Sequence, residues 1–178
     1  MRKWWGQLAA SFAIVGLTIG LAMGVPLVNN AVSAETEVAD ETFRLNPGVT
    51  VTASSGVLMR PGSHQPQQGR AEFSVNSATV TVEAEGPYDR SSDYLLDEME
   101  RLFAAQPEVH LAESRDCVAG DVVGSGRTFF TSAGSGFLCA FVHDGVRVEV
   151  TASGTALDAE TVHKIDDLID SVSFGDGP

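Results

Sequence analysis

Basic residues are scarce in this sequence. The chain of 178 residues has 11 Lys and Arg against 24 Asp and Glu, a net charge of −13. Two of the basic residues, Arg2 and Lys3, precede position 4, and residues 1–34 contain no acid. Residues 35–178 therefore carry 9 basic and all 24 acidic residues, 9 − 24 = −15. A domain of that charge is repelled by nucleic acid and by anionic lipid headgroups, which excludes both as partners. There are only two cysteines, Cys117 and Cys139, with no Cys-x-x-Cys spacing, and two thiolates alone make a poor zinc site. The four histidines, His64, His110, His143 and His163, are isolated, and no His-x-x-x-His or His-Glu-x-x-His occurs. A nucleophile elbow, a phosphate-binding loop and a dinucleotide fingerprint are all missing. Ser125, Ser132 and Ser135 lie among glycines at spacings that fit no elbow. The sequence thus gives no catalytic residue, no metal ligand and no cofactor.

What it does contain begins with an export segment. After Arg2 and Lys3, residues 4–28 carry no charge, and Val32 and Ala34 satisfy the small-residue rule at −3 and −1 of a signal-peptidase site between Ala34 and Glu35. The same run of 25 residues is long enough to span a bilayer as an uncleaved anchor. Trp4 and Trp5 would then form an interfacial belt, and Gly16, Gly20 and Gly24 a close-approach stripe for a dimer. Either reading puts the rest of the chain outside the membrane, which it touches only through residues 4–28 if they are retained. In that oxidising compartment Cys117 and Cys139 are read as a disulfide pair.

Residues 35–47 are acidic at their start and read as a flexible tether, 48–174 as one extracytoplasmic domain, and 175–178 as a flexible tail. Within the domain, Gly48 to Ala53 alternates as a first strand. Pro61 to Gly69 is polar and turn-rich, and reads as the longest loop. Phe73 and Val75 share one strand face. Val80, Val82 and Ala84 share another, with Thr79, Thr81 and Glu83 opposite and Asn76-Ser77 as the turn between. Leu95, Met99, Leu102 and Phe103 make the apolar stripe of a helix over 92–105, capped by Ser91 or Ser92.

The strongest local pattern is a hairpin over 137–153 turning at Asp144-Gly145. It pairs His143 with Val146, Phe141 with Val148 and Cys139 with Val150. One face is apolar throughout. The other mixes Leu138, Ala140 and Val142 with Arg147, Glu149 and Thr151, so a helix is expected to cover part of it. Asp158 then caps a final helix with Val162, Ile165, Leu168, Ile169 and Val172 on its buried stripe. The order β-β-β-α-β-β-β-β-α predicts an α+β fold, an antiparallel sheet packed with two main helices.

The strand over 78–85 that closes a strand pair, the helix over 92–105, the hairpin over 137–153 and the final helix ending in Asp170-Ser171-Val172-Ser173-Phe174 together resemble the PsbP-like fold, including the LpqN/LpqT-type exported proteins of actinobacteria. The likeness spans roughly 48–174. It implies a PsbP-like sandwich and a non-catalytic domain that binds or stabilises another component of the cell envelope. Unlike many of those proteins, this chain has no lipid-acceptor cysteine after its apolar run.

The function expected is therefore an exported binding or accessory domain with an unidentified envelope protein or ligand as partner. The contact surface expected is the loop residues His64, Gln65 and Gln67 with His143 at the hairpin turn. The alternatives are a membrane-anchored oligomer built on the glycine stripe and a small extracytoplasmic enzyme with an unrecognised site.

Overall fold

Side chains alternate between two faces of a strand, so an eight-residue run of apolar–polar alternation builds a sheet with one buried side. Ala78–Glu85 is such a run, and every second residue from Ala78 to Ala84 is buried. A computed structural model describes residues 34–106, 108–155 and 157–175. It places this strand at the centre of a nine-stranded antiparallel sheet. The strands are β1 (Thr36–Glu37), β2 (Thr42–Leu45), β3 (Val49–Thr52), β4 (Val57–Met59), β5 (His64–Gln65), β6 (Arg70–Val75) and β7 (Ala78–Glu85). After helix α1 (Ser92–Ala104) come β8 (His110–Ala119), β9 (Val122–Thr131), β10 (Gly134–His143) and β11 (Val146–Gly154). Helix α2 (Ala159–Asp170) and β12 (Ser173–Phe174) complete the order. The large sheet runs β1-β4-β6-β7-β11-β10-β9-β8, with β5 added to β6, and β12-β3-β2 form a separate small sheet.

The two faces of the large sheet are covered differently. One packs against α2 and the small sheet through a core that includes Phe73, Val80, Val82, Phe141, Val148, Val150, Ile165 and Leu168. The other is covered over β9 and β10 and in part over β8. There Leu95, Leu96 and Met99 of α1 bury against Phe129, Leu138 and Ala140. That is the partial cover expected from the mixed second face of the hairpin. The hairpin has the expected register, His143 opposite Val146 and Cys139 opposite Val150. Asp144 (φ 47°) and Gly145 (φ 75°) both lie in the left-handed region that a two-residue type I′ turn requires.

Several expectations are corrected. The stretch 35–47 is folded, with no tether. β1 pairs with β4 and β2 with β3, Val38, Phe43 and Leu45 are buried, and the Glu35 carboxylate accepts from Arg60 Nε and Ser74 Oγ, both at 2.9 Å. The domain therefore starts at Glu35, and the described residues from Glu35 to Gly175 form one compact unit. Gly175, expected in a flexible tail, donates its N–H to Gly48 O at 2.9 Å. The two strands expected between the first helix and the hairpin are present as β8 and β9, each of ten residues. In α2 it is Thr161, not Val162, that is buried with Ile165, Leu168 and Ile169. Its hydroxyl accepts from Asn76 Nδ2 at 2.9 Å. The export segment 4–28 lies outside the described residues, and among the described residues no helix is long and apolar enough to cross a membrane.

Cys117 on β8 and Cys139 on β10 are joined in a disulfide, with Cα atoms 5.9 Å apart. Strand β9 runs between them, with Gly124 opposite Cys117 and Gly126 opposite Cys139. Two ladder steps in a flat sheet separate strands by about 9.6 Å, so the sheet curls sharply at β9. Only glycine allows this. A Cβ on Gly126 would lie 2.8 Å from Leu138 O and 2.9 Å from Arg115 O, and one on Gly124 would overlap the Phe141 ring. Arg115 on β8 ion-pairs with Asp166, and its guanidinium lies 3.9 Å over the Phe137 ring. The curled end of the sheet is thereby held to α2.

Candidate functional site

Because α1 docks on β9 and β10 through Leu95, Leu96 and Met99, the same face of β7 and β11 beside it stays uncovered. The result is a trough whose floor is β7 and β11 and whose wall is the exposed flank of α1. It has two ends with different chemistry. At the first, a hollow of about 490 Å³ is lined by Thr79, Thr151 and Ser153 on the floor, Phe103 and Gln106 on the wall, and Thr131, Gly134 and Ser135 at the rim. At the second, a hollow of about 570 Å³ is lined by Glu83, Arg147 and Glu149 on the floor and Glu98, Met99, Arg101 and Leu102 on the wall. Leu102, expected on the buried stripe of the helix, is 71% exposed on this wall.

The floor residues stand in register. Thr79 pairs with Ser153, Thr81 with Thr151, Glu83 with Glu149 and Glu85 with Arg147. Two rows of hydroxyls are thus followed by two rows of charge. Arg147 ion-pairs with Glu85 and lies 3.3 Å from Glu149, while Arg70 reaches Glu83 at 3.1 Å. Tyr88 donates its hydroxyl to Glu98 at 3.2 Å, and the Arg147 guanidinium lies 5.3 Å over the Tyr88 ring. Burial pushes the Glu149 carboxyl above the usual range; the Arg147 charge opposes the shift and Glu83, Glu85 and Glu98 add to it. Burial, then the hydrogen bond to Glu98, also raises the Tyr88 phenol. The arginines interleaved here make the charged end an internally paired network. Arg127 Nε donates to Glu100 at 2.6 Å and pins α1 to β9, fixing the wall.

The residues expected to form a contact surface are not brought together. His64 and Gln65 are the strand β5, paired with β6. His64 Nε2 donates to Arg44 O at 2.9 Å, and its ring meets Phe43 edge-on at 5.2 Å. Gln67 is exposed in a 3-10 turn, Pro66–Gln68. His143 is exposed at the hairpin turn, with its ring edge-on to Phe174 at 5.4 Å and Nε2 3.4 Å from the Asp144 carboxylate. His64 is tied to β2 and His143 to β12, which are opposite edges of the small sheet. His143 borders a different cleft of about 560 Å³ beside Asp121, Asp170 and Phe174.

Two of the three serines singled out among glycines find carboxylate partners. Ser125 donates to Asp93 and Ser132 to Glu108. Neither is bonded to a histidine among the described residues, so the arrangement lacks the base a serine nucleophile needs. Among the described residues no group of three His, Cys, Asp or Glu is placed to hold a metal ion.

No family model matches the chain, and no curated protein matches it. Among solved structures, it is similar to the solution structure of cyanobacterial PsbP (CyanoP) from Synechocystis sp. PCC 6803. The identity is 11%, the match covers 80% of this chain and 93% of that one, and the TM-score is 0.49. This likeness carries no residue role and no function to the chain. The resemblance to the LpqN/LpqT-type proteins rests on the order of elements alone.

Proposed function

We propose that the chain is an exported, non-catalytic binding domain of the cell envelope and that it holds its partner in the trough between α1 and the β7–β11 face. The observation that carries this reading is the trough itself: a helix fixed at one side of a wide sheet leaves an open, side-chain-lined hollow of ligand size, about 490 Å³, within the range of roughly 300–1,000 Å³ usual for small-molecule sites. Its side chains bind and position; they do not assemble a nucleophile with a base. Export is supported by the uncharged segment 4–28 with its cleavage pattern and by a disulfide closed inside the core, a bond that persists in oxidising compartments.

The test is residue-resolved. The full chain, isotopically labelled and recovered from an exporting host, is screened against a library of small fragments by amide chemical-shift mapping, and the fragments are followed over time. Saturable shifts clustered at Thr79, Thr151 and Gln106, with every fragment unchanged, are expected. Hits that cluster at the His143–Phe174 cleft, or fragments consumed by the protein, would overturn the assignment.

A further inference from the structure

Resting on the reading of the trough as the binding site, we propose that its hydroxyl-lined end takes an uncharged, polyhydroxylated ligand: a neutral glycan segment. Of the described residues that line this end, none carries a charge and seven are Ser or Thr. That composition stands out in a domain with a net charge of −15. Charged side chains return along the same two strands, as Glu83 and Glu149 two residues beyond Thr81 and Thr151 and as Arg147 two residues beyond Glu149.

The hydroxyls form a grid. Thr79 and Ser153 face each other across the strand pair, as do Thr81 and Thr151. Opposed side chains on one face lie about 5 Å apart, and successive ones along a strand about 7 Å apart. Thr79, Thr81, Thr151 and Ser153 make no side-chain hydrogen bond to protein among the described residues. Each hydroxyl offers one donor and two acceptor sites, so the grid presents mixed donors and acceptors in a plane, which is what a sugar edge presents in return. Phe103, half-buried and packed on Phe129 at 5.1 Å, supplies an apolar wall beside the grid. Gln106 adds an amide that can donate and accept.

Three other ligand classes fit less well. An anion finds no cation in the lining and meets the field of an acidic domain. An aliphatic chain would bury the floor hydroxyls without partners, at a cost for each group left unpaired. An extended peptide gains most of its affinity by pairing with a free strand edge, yet β7 and β11 are interior strands whose backbones are paired on both sides. A neutral polyol satisfies the hydroxyls and needs neither charge nor edge.

The test uses the full chain recovered from an exporting host, with amide shifts as the readout. The probes are uncharged trisaccharides of glucose, mannose, galactose and N-acetylglucosamine, with the trisaccharide of glucuronate as the charged counterpart. A neutral trisaccharide is expected to shift Thr79, Thr151 and Ser153 saturably, with no response to glucuronate. The double variant Thr151→Val, Ser153→Ala keeps the strand shape and removes two hydroxyls; it should weaken that binding about tenfold while leaving the remaining amides in place. If no neutral sugar shifts these residues but the small fragments do, the trough is a site for another ligand class and the glycan assignment is wrong. If neither does, the binding-site reading fails as well. Sugar binding that the double variant leaves unchanged would place it elsewhere and overturn the proposal.

Discussion

Replacing Cys117 and Cys139 together with alanine is expected to lower the unfolding free energy by about 3 kcal/mol. The bond spans a sequence separation of 22, and closing a loop of that length in the unfolded chain accounts for most of the figure. The native state gives a further reason. Cys117 and Cys139 are buried at 3% and 0% exposure, and the bond holds β8 against β10 across the two glycines of β9, where the sheet curls. Without it, β8 beyond its pairing with β9 rests on Arg115 with Asp166 and on contacts with α2 and α1. Urea unfolding with and without reductant checks this. Reductant should shift the natural protein to the midpoint of the double variant and leave the variant unmoved. Equal midpoints throughout would mean that the bond contributes nothing. A loss of about 3 kcal/mol is a large share of the roughly 5–15 kcal/mol that keeps such a domain folded, which ties stability to an oxidising compartment.

Phe141→Ala is expected to cost about 3–5 kcal/mol and to lower the melting temperature by roughly 10 °C. The ring is fully buried on β10, opposite Val148. It fills the space that Gly124 leaves on β9, since a Cβ on that glycine would overlap it. Removing the ring therefore opens a cavity between a glycine and a fixed β-ladder, neither of which can close over it. Calorimetry measures the loss directly. A change below about 1 kcal/mol would show that the curled end of the sheet collapses onto the cavity.

Much of the fold can be read from local pattern. Asp144-Gly145 with alternation on both sides specifies the hairpin and its register, and the stripes of Leu95 and Met99 and of Ile165, Leu168 and Ile169 mark the buried faces of the two helices. What escapes local reading is decided by distant partners. β1 has no apolar residue and β2 only Phe43 and Leu45, and they become strands because β4 and β3 offer edges to pair with. β8 contains Glu113, Ser114, Arg115 and Asp116 in succession, a composition that suits an edge strand exposed to solvent and hides its period. The glycines of β9 look like breakers, but they are the positions over which the disulfide and Phe141 lie.

The trough was half legible. Thr79, Thr81 and Glu83 on one strand, and Arg147, Glu149 and Thr151 on another, can be seen in the sequence as polar faces. That these two faces are adjacent depends on β7 pairing with β11, strands far apart in the chain whose partners run from Glu85 with Arg147 to Ala78 with Gly154. That they stay uncovered depends on where α1 docks. The loop around His64 attracted attention through its composition, yet its histidine is engaged in holding β5 to β2.

The central claim is that the trough is where the protein works, and the most direct measurement is made in the native host. The chromosomal copy is replaced by a Thr151→Trp variant, which fills the hydroxyl-lined end from its floor, and separately by His143→Ala at the other cleft. Export of both is verified, and the fitness of each strain is profiled across conditions beside the deletion strain. The account predicts that Thr151→Trp is indistinguishable from the deletion and His143→Ala from the parent. The reverse pattern, a plugged trough that behaves as the parent and a His143 variant that behaves as the deletion, would contradict it.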